Sequence, residues 1–88
     1  MKKLTRKRFL GQLPEMDRQA KEWGRPILWL PKAEEESAVI LVIVPGWPGA
    51  LEVAEEVLRG LEEDGYIHLQ QPAERGGLLH VTEKGRSG

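Results

Sequence analysis

Two histidines are the side chains best suited to chemistry in this sequence of 88 residues, which contains no cysteine. His68 and His80 lie in two short segments, 66–70 and 78–82, that we expect to pair as antiparallel strands. If the pairing is symmetric about Glu74, the two imidazoles lie opposite each other and could share a metal ion. A zinc site usually takes three or four protein ligands, and no third ligand is evident. We therefore expect a solvent-facing cross-strand pair and no metal site.

No other residue pattern indicates catalysis. Ser37 falls in a predicted loop and Ser87 in a predicted tail, and neither has a base close by in the sequence. The turn at 45–49 contains two glycines but lacks the Lys-Ser/Thr pair of a phosphate-binding P-loop. Since no pair of carboxylates stands out either, we expect a protein that is not an enzyme and needs no cofactor.

Charge is divided unevenly along the chain. Residues 1–32 contain nine lysines and arginines and three acids, a balance of +6, whereas residues 33–88 contain four and eleven, a balance of −7. One interpretation is that the basic part binds a polyanion such as a nucleic acid. The other is that the two parts attract each other, either within one fold or between the two chains of a homodimer.

Basic residues that could contact a nucleic acid occur at three places: the N-terminus, a predicted hairpin tip and the segment after the hairpin. Cations of this kind bind phosphates without reading the base sequence. The candidate contacts are Lys2, Lys3, Arg6, Lys7, Arg8, Arg75, Lys84 and Arg86. The alternative for the N-terminal residues is that they are simply solvated.

The totals predict one small domain in the cytoplasm. The chain is 40% hydrophobic and 31% charged, which is typical of a globular protein. The longest apolar run, residues 38–44, is far shorter than the ~20 residues that span a bilayer, and no secretory signal follows the basic N-terminus. We expect a basic arm at 1–12, a folded core at 13–86 and a frayed tail at 87–88.

Hydrophobic periodicity predicts an α+β fold with the order α-β-β-α-β-β and a single antiparallel sheet against which both helices pack. Pro14–Trp23 is predicted as a helix, preceded by a kink or a break near Gly11. Pro26–Pro31 is predicted as an edge strand, because proline cannot donate to a strand ladder. The unbroken apolar run Ala38–Val44 predicts a central strand that is covered on both faces.

The second helix is predicted to begin near Ala50 and to end at Gly65. Its apolar residues recur at steps of three and four, and its opposite face is mostly acidic. Trp47, in the turn before it, either folds back on the core or serves as an anchor for a partner protein. The candidate partner-binding residues are Trp47, Glu52, Glu55, Glu56 and Arg59.

The motif LRGLEEDGYI at 58–67, followed by LHVTEKGR at 79–86, resembles the end of a winged helix-turn-helix domain. In transcription regulators of the multidrug-resistance and phenolic-acid types, a recognition helix with such an ending precedes a β-hairpin wing. The resemblance covers residues 50–86 and implies DNA binding. The strand predicted at Ala38–Val44 occupies the place of two expected helices, and carboxylates on the helix would repel phosphates. DNA contacts are therefore expected from the basic arm and the hairpin tip.

Two functions follow from the sequence. The first is a small nucleic-acid-binding regulatory protein with a winged-helix-like C-terminal half. The alternative is a non-enzymatic protein-interaction module, or a small phage- or plasmid-type inhibitor, that acts through its acidic helix face and Trp47.

Overall fold

The computed structural model describes residues 3–32, 38–73 and 76–87, except for the side chains of 71–73. It confirms an α+β domain with an antiparallel sheet and adds a strand before the second long helix. The elements are α1 (Arg6–Trp23), β1 (Ile27–Lys32), β2 (Val39–Ile43), β3 (Leu51–Ala54), α2 (Glu55–Glu63), β4 (Ile67–Ala73), β5 (Gly76–Val81) and α3 (Glu83–Ser87).

Helix α1 begins earlier than predicted. The Thr5 side chain caps it by accepting a hydrogen bond from the Arg8 backbone N–H at 3.2 Å. Pro14 lies inside the helix, and Gly24, in the left-handed conformation with φ 66°, ends it. One helix from Arg6 to Trp23 therefore replaces the kinked helix or the two short helices expected from the sequence, and residues 6–12 of the predicted arm are helical. A proline within a helix costs ~3 kcal/mol, and the burial of Phe9, Leu13 and Met16, at ~1.5–3 kcal/mol each, offsets this cost.

Strand β1 is the central strand of the sheet and not the predicted edge strand. The strand order is β3-β2-β1-β5-β4. β1 pairs with β5 through Ile27, Leu28 and Trp29, and with β2 from Leu28 to Lys32. Pro31 lies beyond the pairing with β5, so the missing N–H of proline does not interrupt that ladder.

Residues Leu51–Ala54 form strand β3 and not the first turn of the second helix. They pair with β2, with Val53 opposite Ile40 and buried in the core. Leu4 makes a short parallel bridge to Val53, and its N–H donates to the Glu52 carbonyl at 2.8 Å. Helix α2 consequently starts at Glu55.

The C-terminal hairpin has the predicted register. Ile67 lies opposite Val81, and Leu69 lies opposite Leu79, so that these four residues share one face of β4 and β5. The hairpin also pairs with β1 through β5, which makes it part of the five-stranded sheet. Ser87, predicted to lie in a frayed tail, is the last residue of α3.

The hydrophobic core lies between α1, α2 and one face of the sheet, which we call the inner face. Helix α3 packs on the same side, since the closest neighbours of Gly85 are the Tyr66 carbonyl and the Val81 side chain. No helix in the described part of the chain has the length and hydrophobicity required to cross a membrane. The buried core residues are Phe9, Leu13, Met16, Ile27, Trp29, Ile40, Val42, Val44, Val53, Leu58, Leu61, Ile67, Leu79 and Val81.

Gly76 allows β5 to approach β1 closely and provides a test of the sheet order. A Cβ atom at Gly76 would overlap the Trp29 carbonyl oxygen, and the residue has φ 109°. We expect Gly76→Ala to lower the free energy of unfolding by at least ~2 kcal/mol, because only backbone movement could relieve the overlap.

The matched control is Gly11→Ala, because a Cβ atom there meets open space on α1. It should raise the free energy of unfolding by about 0.5–1 kcal/mol through helix propensity. Urea denaturation measures both changes. A Gly76→Ala variant as stable as the unmodified protein would contradict the close approach of β5 to β1.

Candidate functional site

The face of the sheet opposite the core, which we call the outer face, is apolar at its centre. In the register of the sheet, Leu28 lies between Ile43 and Leu78, and Leu30 lies opposite Leu41. The side chains of Leu28 and Leu30 are 39% and 38% exposed, and the other three are half-buried. We call these five residues the apolar stripe. A contiguous group of exposed apolar side chains commonly marks a binding surface.

The apolar stripe results from strands that are apolar on both faces. In β1, Ile27 and Trp29 point into the core, whereas Leu28 and Leu30 alternate with them and point outward. The sequence predicted a strand covered on both faces for β2, and the described helices pack on the inner face. Since β1 and β2 are apolar on both faces, their sequences do not indicate which face the helices cover. Locating the exposed leucines requires knowing on which side of the sheet the helices pack.

Polar groups occupy two diagonally opposite corners of the outer face. On the β3 side, Glu52 lies next to Leu41 in the register, and its carboxylate is 3.7 Å from the Lys32 Nζ. On the other side, His80 lies two residues beyond Leu78 in β5 and directly opposite His68 in β4. The outer face thus has the Lys32–Glu52 ion pair at one corner, an apolar centre and the two imidazoles at the opposite corner.

The two histidines form the cross-strand pair expected from the sequence. Their ring centroids are 6.0 Å apart with an interplanar angle of 21°. His80 Nε2 lies 2.7 Å from the Gln70 Oε1, and His68 Nδ1 lies 3.5 Å from the Glu62 carboxylate. Within the described ranges, no group of three or more His, Cys, Asp or Glu residues is arranged to hold a metal ion.

Both edge strands of the sheet are partly occupied by other groups of the chain. At the β4 edge, the Leu69 backbone N–H donates to the Glu62 Oε2 at 2.9 Å, and the strand also contains Pro72, which has no N–H. At the β3 edge, the Leu4 backbone N–H donates a hydrogen bond to the Glu52 carbonyl. Groups that satisfy or remove edge hydrogen bonds discourage the addition of another strand.

A groove continues the apolar stripe past the start of β1. It has a volume of about 200 Å³ and is lined by Arg25, Pro26, Leu28, Ile43 and Pro45. Four of these five residues are apolar, which suits an aliphatic or aromatic side chain of a partner better than a polar substrate.

The structure separates the residues predicted to bind a nucleic acid. Lys2 and Arg75 lie outside the described residues, and Lys3 lies just before the β3 bridge. Arg6, Lys7 and Arg8 form the first turn of α1, which contains no acidic residue.

Three of the predicted cations are bound within the fold. Arg6 Nη2 lies 2.5 Å from the Asp64 carboxylate, and Lys84 Nζ donates to the Asp64 carbonyl at 2.7 Å while lying 4.5 Å from the centre of the Tyr66 ring. Arg86 donates to the Val81 carbonyl at 3.0 Å. The structure therefore brings Arg6 and Lys84 together at Asp64, where α1 and α3 meet the end of α2.

The residues predicted to bind a partner protein do not all belong to one helix. Trp47 packs against the core, which is one of its two predicted positions. Glu52 belongs to β3 and pairs with Lys32 on the outer face of the sheet. Glu55 and Arg59 form an ion pair at 2.6 Å on α2, next to the exposed Glu56. The predicted acidic helix surface therefore loses Glu52 to the sheet.

The exposed side of α1 is largely neutralised beyond its first turn. Hydrogen bonds from Arg18, and then from Gln19, lower the pKa of the Glu15 carboxyl, and the same contact raises the pKa of Arg18. Lys21 pairs with Asp17 at 3.1 Å one turn further on. The excess positive charge of α1 is consequently concentrated at its N-terminus.

Comparison with known proteins found no matching family, no similar curated protein and no similar solved structure. The resemblance of residues 50–86 to a winged helix-turn-helix domain therefore stays a prediction.

The contact between Glu62 and Leu69 provides a test of the protected β4 edge. We expect Glu62→Ala to leave the Leu69 amide without its partner and to accelerate its hydrogen exchange about 10-fold, since a hydrogen bond to a charged group contributes ~1.5 kcal/mol. Hydrogen exchange measured by NMR gives the rate for this single amide.

The matched control is Glu63→Ala, which removes the same side chain from an exposed position in the same turn of α2. It should leave the exchange of Leu69 unchanged. Equal rates in both variants would show that the carboxylate does not protect this edge.

Proposed function

We propose that the protein is a non-enzymatic protein-interaction module whose binding surface is the outer face of the sheet. The observation that supports this proposal is the exposure of Leu28 and Leu30 at the centre of the outer face. Ile27 and Trp29, which alternate with them on the inner face, are buried in the core. A strand with one face in water normally alternates apolar and polar residues. In β1 the outward positions carry leucine, so burying them against a partner would be favourable by ~25 cal/mol per Å².

The composition of the outer face favours a protein partner over a nucleic acid. Sheets that bind single-stranded nucleic acids combine aromatic side chains for base stacking with cations for the phosphates. Here the centre is aliphatic, and the one lysine among the described outer residues, Lys32, is next to Glu52. An apolar surface on another protein matches this chemistry better.

The proposed surface differs from the one expected from the sequence. The alternative hypothesis located partner binding on the acidic helix face and at Trp47. Since Trp47 contributes to the core and Glu55 is paired with Arg59, we move the proposed contact to the apolar stripe, with Glu52 at its margin.

A charge placed within the apolar stripe should weaken the interaction with a partner protein. We expect Leu28→Lys and Leu30→Lys each to reduce partner binding at least 10-fold, because a buried lysine without a counterion is costly at an interface. Affinity capture from a lysate of the source cells, followed by titration of the captured protein, measures the loss. Circular dichroism shows whether each variant is folded.

The matched control is Trp23→Lys, which introduces the same charge at an exposed apolar residue outside the sheet. Trp23 is 57% exposed and lies at the end of α1. This variant should bind as the unmodified protein does. Unchanged capture by both leucine variants would rule out the outer face as the binding surface.

A second function, nucleic-acid binding, is favoured by the first turn of α1. Lys7 and Arg8 lie at the end of the helix where the dipole is already positive, an arrangement that costs a few tenths of a kcal/mol per cation, whereas Arg6 beside them is paired with Asp64. A bound phosphate backbone would offset this cost. This candidate corresponds to the regulatory, winged-helix-like protein expected from the sequence, with the contact centred on α1.

Salt dependence tests the second function. We expect random duplex DNA to bind at ~50 mM salt and to lose at least 10-fold in affinity by ~200 mM. Changing Lys7 and Arg8 together to glutamine should reduce the slope of log affinity against log salt by about 2. Changing Arg18 and Lys21 to glutamine alters the net charge equally and should leave the slope unchanged. No binding at low salt would remove this candidate.

A further inference from the structure

Arg25 differs from most arginines of the domain in the surroundings of its side chain. Four others donate hydrogen bonds to oxygen atoms of the fold: Arg6, Arg18, Arg59 and Arg86. Among the described residues, no hydrogen bond or ion pair holds the exposed side chain of Arg25. It lines the groove at the end of the apolar stripe, where none of the other described lining residues is acidic. An anion bound there would therefore meet an unpaired guanidinium group.

The walls of the groove are apolar and come from two neighbouring strands and the residues beside them. Leu28 and Ile43 lie opposite each other in the register of β1 and β2. Pro26 precedes Leu28 by two residues and Pro45 follows Ile43 by two, so the four line the same side. The volume of about 200 Å³ is smaller than that of most small-molecule pockets and suits one large side chain.

The backbone around the groove is fixed before anything binds. The two prolines in its walls have a restricted φ angle. The Arg25 N–H donates to the Ala20 carbonyl at 3.1 Å, and the Trp47 N–H donates to the Val44 carbonyl at 3.1 Å. A groove that is already formed loses little conformational freedom when a side chain of a partner enters it.

We propose that the groove binds the carboxyl-terminal residue of a partner protein, with an apolar side chain between Leu28 and Ile43 and the terminal carboxylate on Arg25. This inference rests on the proposed function of the outer face and names the chemistry of the partner. A terminal residue has its side chain and its carboxylate on the same carbon atom, so both fit a groove that holds one residue. In an extended internal segment, the side chains next to the anchor point to the opposite side, which carries an acidic side chain away from Arg25.

The apolar stripe extends this contact to a second residue of the partner. Leu30 lies on the same face as Leu28 and two residues further along β1, a distance of roughly 6.6 Å. An extended peptide spans the same distance between its last residue and the third from last. We therefore expect apolar side chains at both of these positions in the partner.

Three short peptides test the carboxylate and its position. The first is acetyl-leucyl-glycyl-phenylalanine with a free carboxylate, and the second is the same peptide with a terminal amide. The third is acetyl-leucyl-glutamyl-phenylalanine amide, which has the same charge as the first on an internal side chain. Titration of the full chain labelled with nitrogen-15, followed through its amide chemical shifts, gives the dissociation constant of each peptide.

The peptide with the free carboxylate should shift the amides of Leu28 and Ile43. Its dissociation constant should be about 0.1–1 mM, since one buried side chain and one exposed ion pair give modest affinity. The other two peptides should bind about 3-fold more weakly, because they lack the ion pair with Arg25. Salt at ~1 M should remove this difference. Equal binding of either of the other two peptides at low salt would overturn the proposal.

Substitution of Arg25 assigns the preference to its side chain. Arg25→Gln should bind the carboxylate and the amide peptides equally, because it removes the guanidinium group and keeps the apolar walls. The matched control is Arg8→Gln, the same change at an exposed arginine near the other end of α1, which should retain the preference. A preference that persists in Arg25→Gln, or unshifted Leu28 and Ile43 amides at about 5 mM peptide, would contradict the assigned site.

The inference and the proposed function fail under different outcomes. If no peptide binds in the groove while Leu28→Lys and Leu30→Lys still weaken capture of a partner protein, the terminal residue is excluded and the outer face stands as the interaction surface. If no peptide binds and neither leucine variant alters capture, both are wrong.

Discussion

The pairing of β1 with β5 is the contact on which the rest of the structure depends. It joins the three-stranded unit β1–β2–β3 to the β4–β5 hairpin through the pairs Ile27–Leu79, Leu28–Leu78 and Trp29–Gly77. The buried Trp29 reinforces it, because its indole N–H donates to the Leu78 carbonyl at 3.2 Å. The same strand thereby supplies the centre of the core on one face and the centre of the apolar stripe on the other. A domain of this size has enough helix to cover one side of such a sheet, and the remaining side is available for contact with another molecule.

Some elements could be predicted from the sequence because their signals are local. The hairpin register follows from alternating apolar residues around a short loop, and Ile67 and Val81 lie opposite each other as the pattern indicates. The end of α2 is also a local signal, because glycine readily adopts the left-handed conformation that ends a helix, and Gly65 has φ 85°.

Other elements depend on tertiary contacts that no short window of sequence contains. The propensities of Gly11 and Pro14 argue against a long first helix. It is stabilised by the burial of Phe9 before them, Leu13 between them and Met16 after them. Leu51 and Ala54 fit the helical period of the residues that follow, yet pairing with β2 makes them a strand. The apolar stripe could not be located beforehand, because the spacing of apolar residues in β1 and β2 is the same whether helices cover one face or both. The ion pairs Arg6–Asp64 and Lys32–Glu52 likewise connect the basic and acidic parts of the chain only in the folded state.

The strand order also determines how the domain is expected to assemble. β2 and β3 pair with neighbours close in sequence, as do β4 and β5, whereas Leu28 and Leu78 must meet across 49 intervening residues. Closing so long a loop costs entropy before any contact repays it, so folding slows as paired residues become more distant in sequence. Two quickly formed halves joined by one slow step leave the edges of β1 and β5 exposed for a time. We therefore expect misassembly in concentrated solution to proceed by exchange of this hairpin between chains.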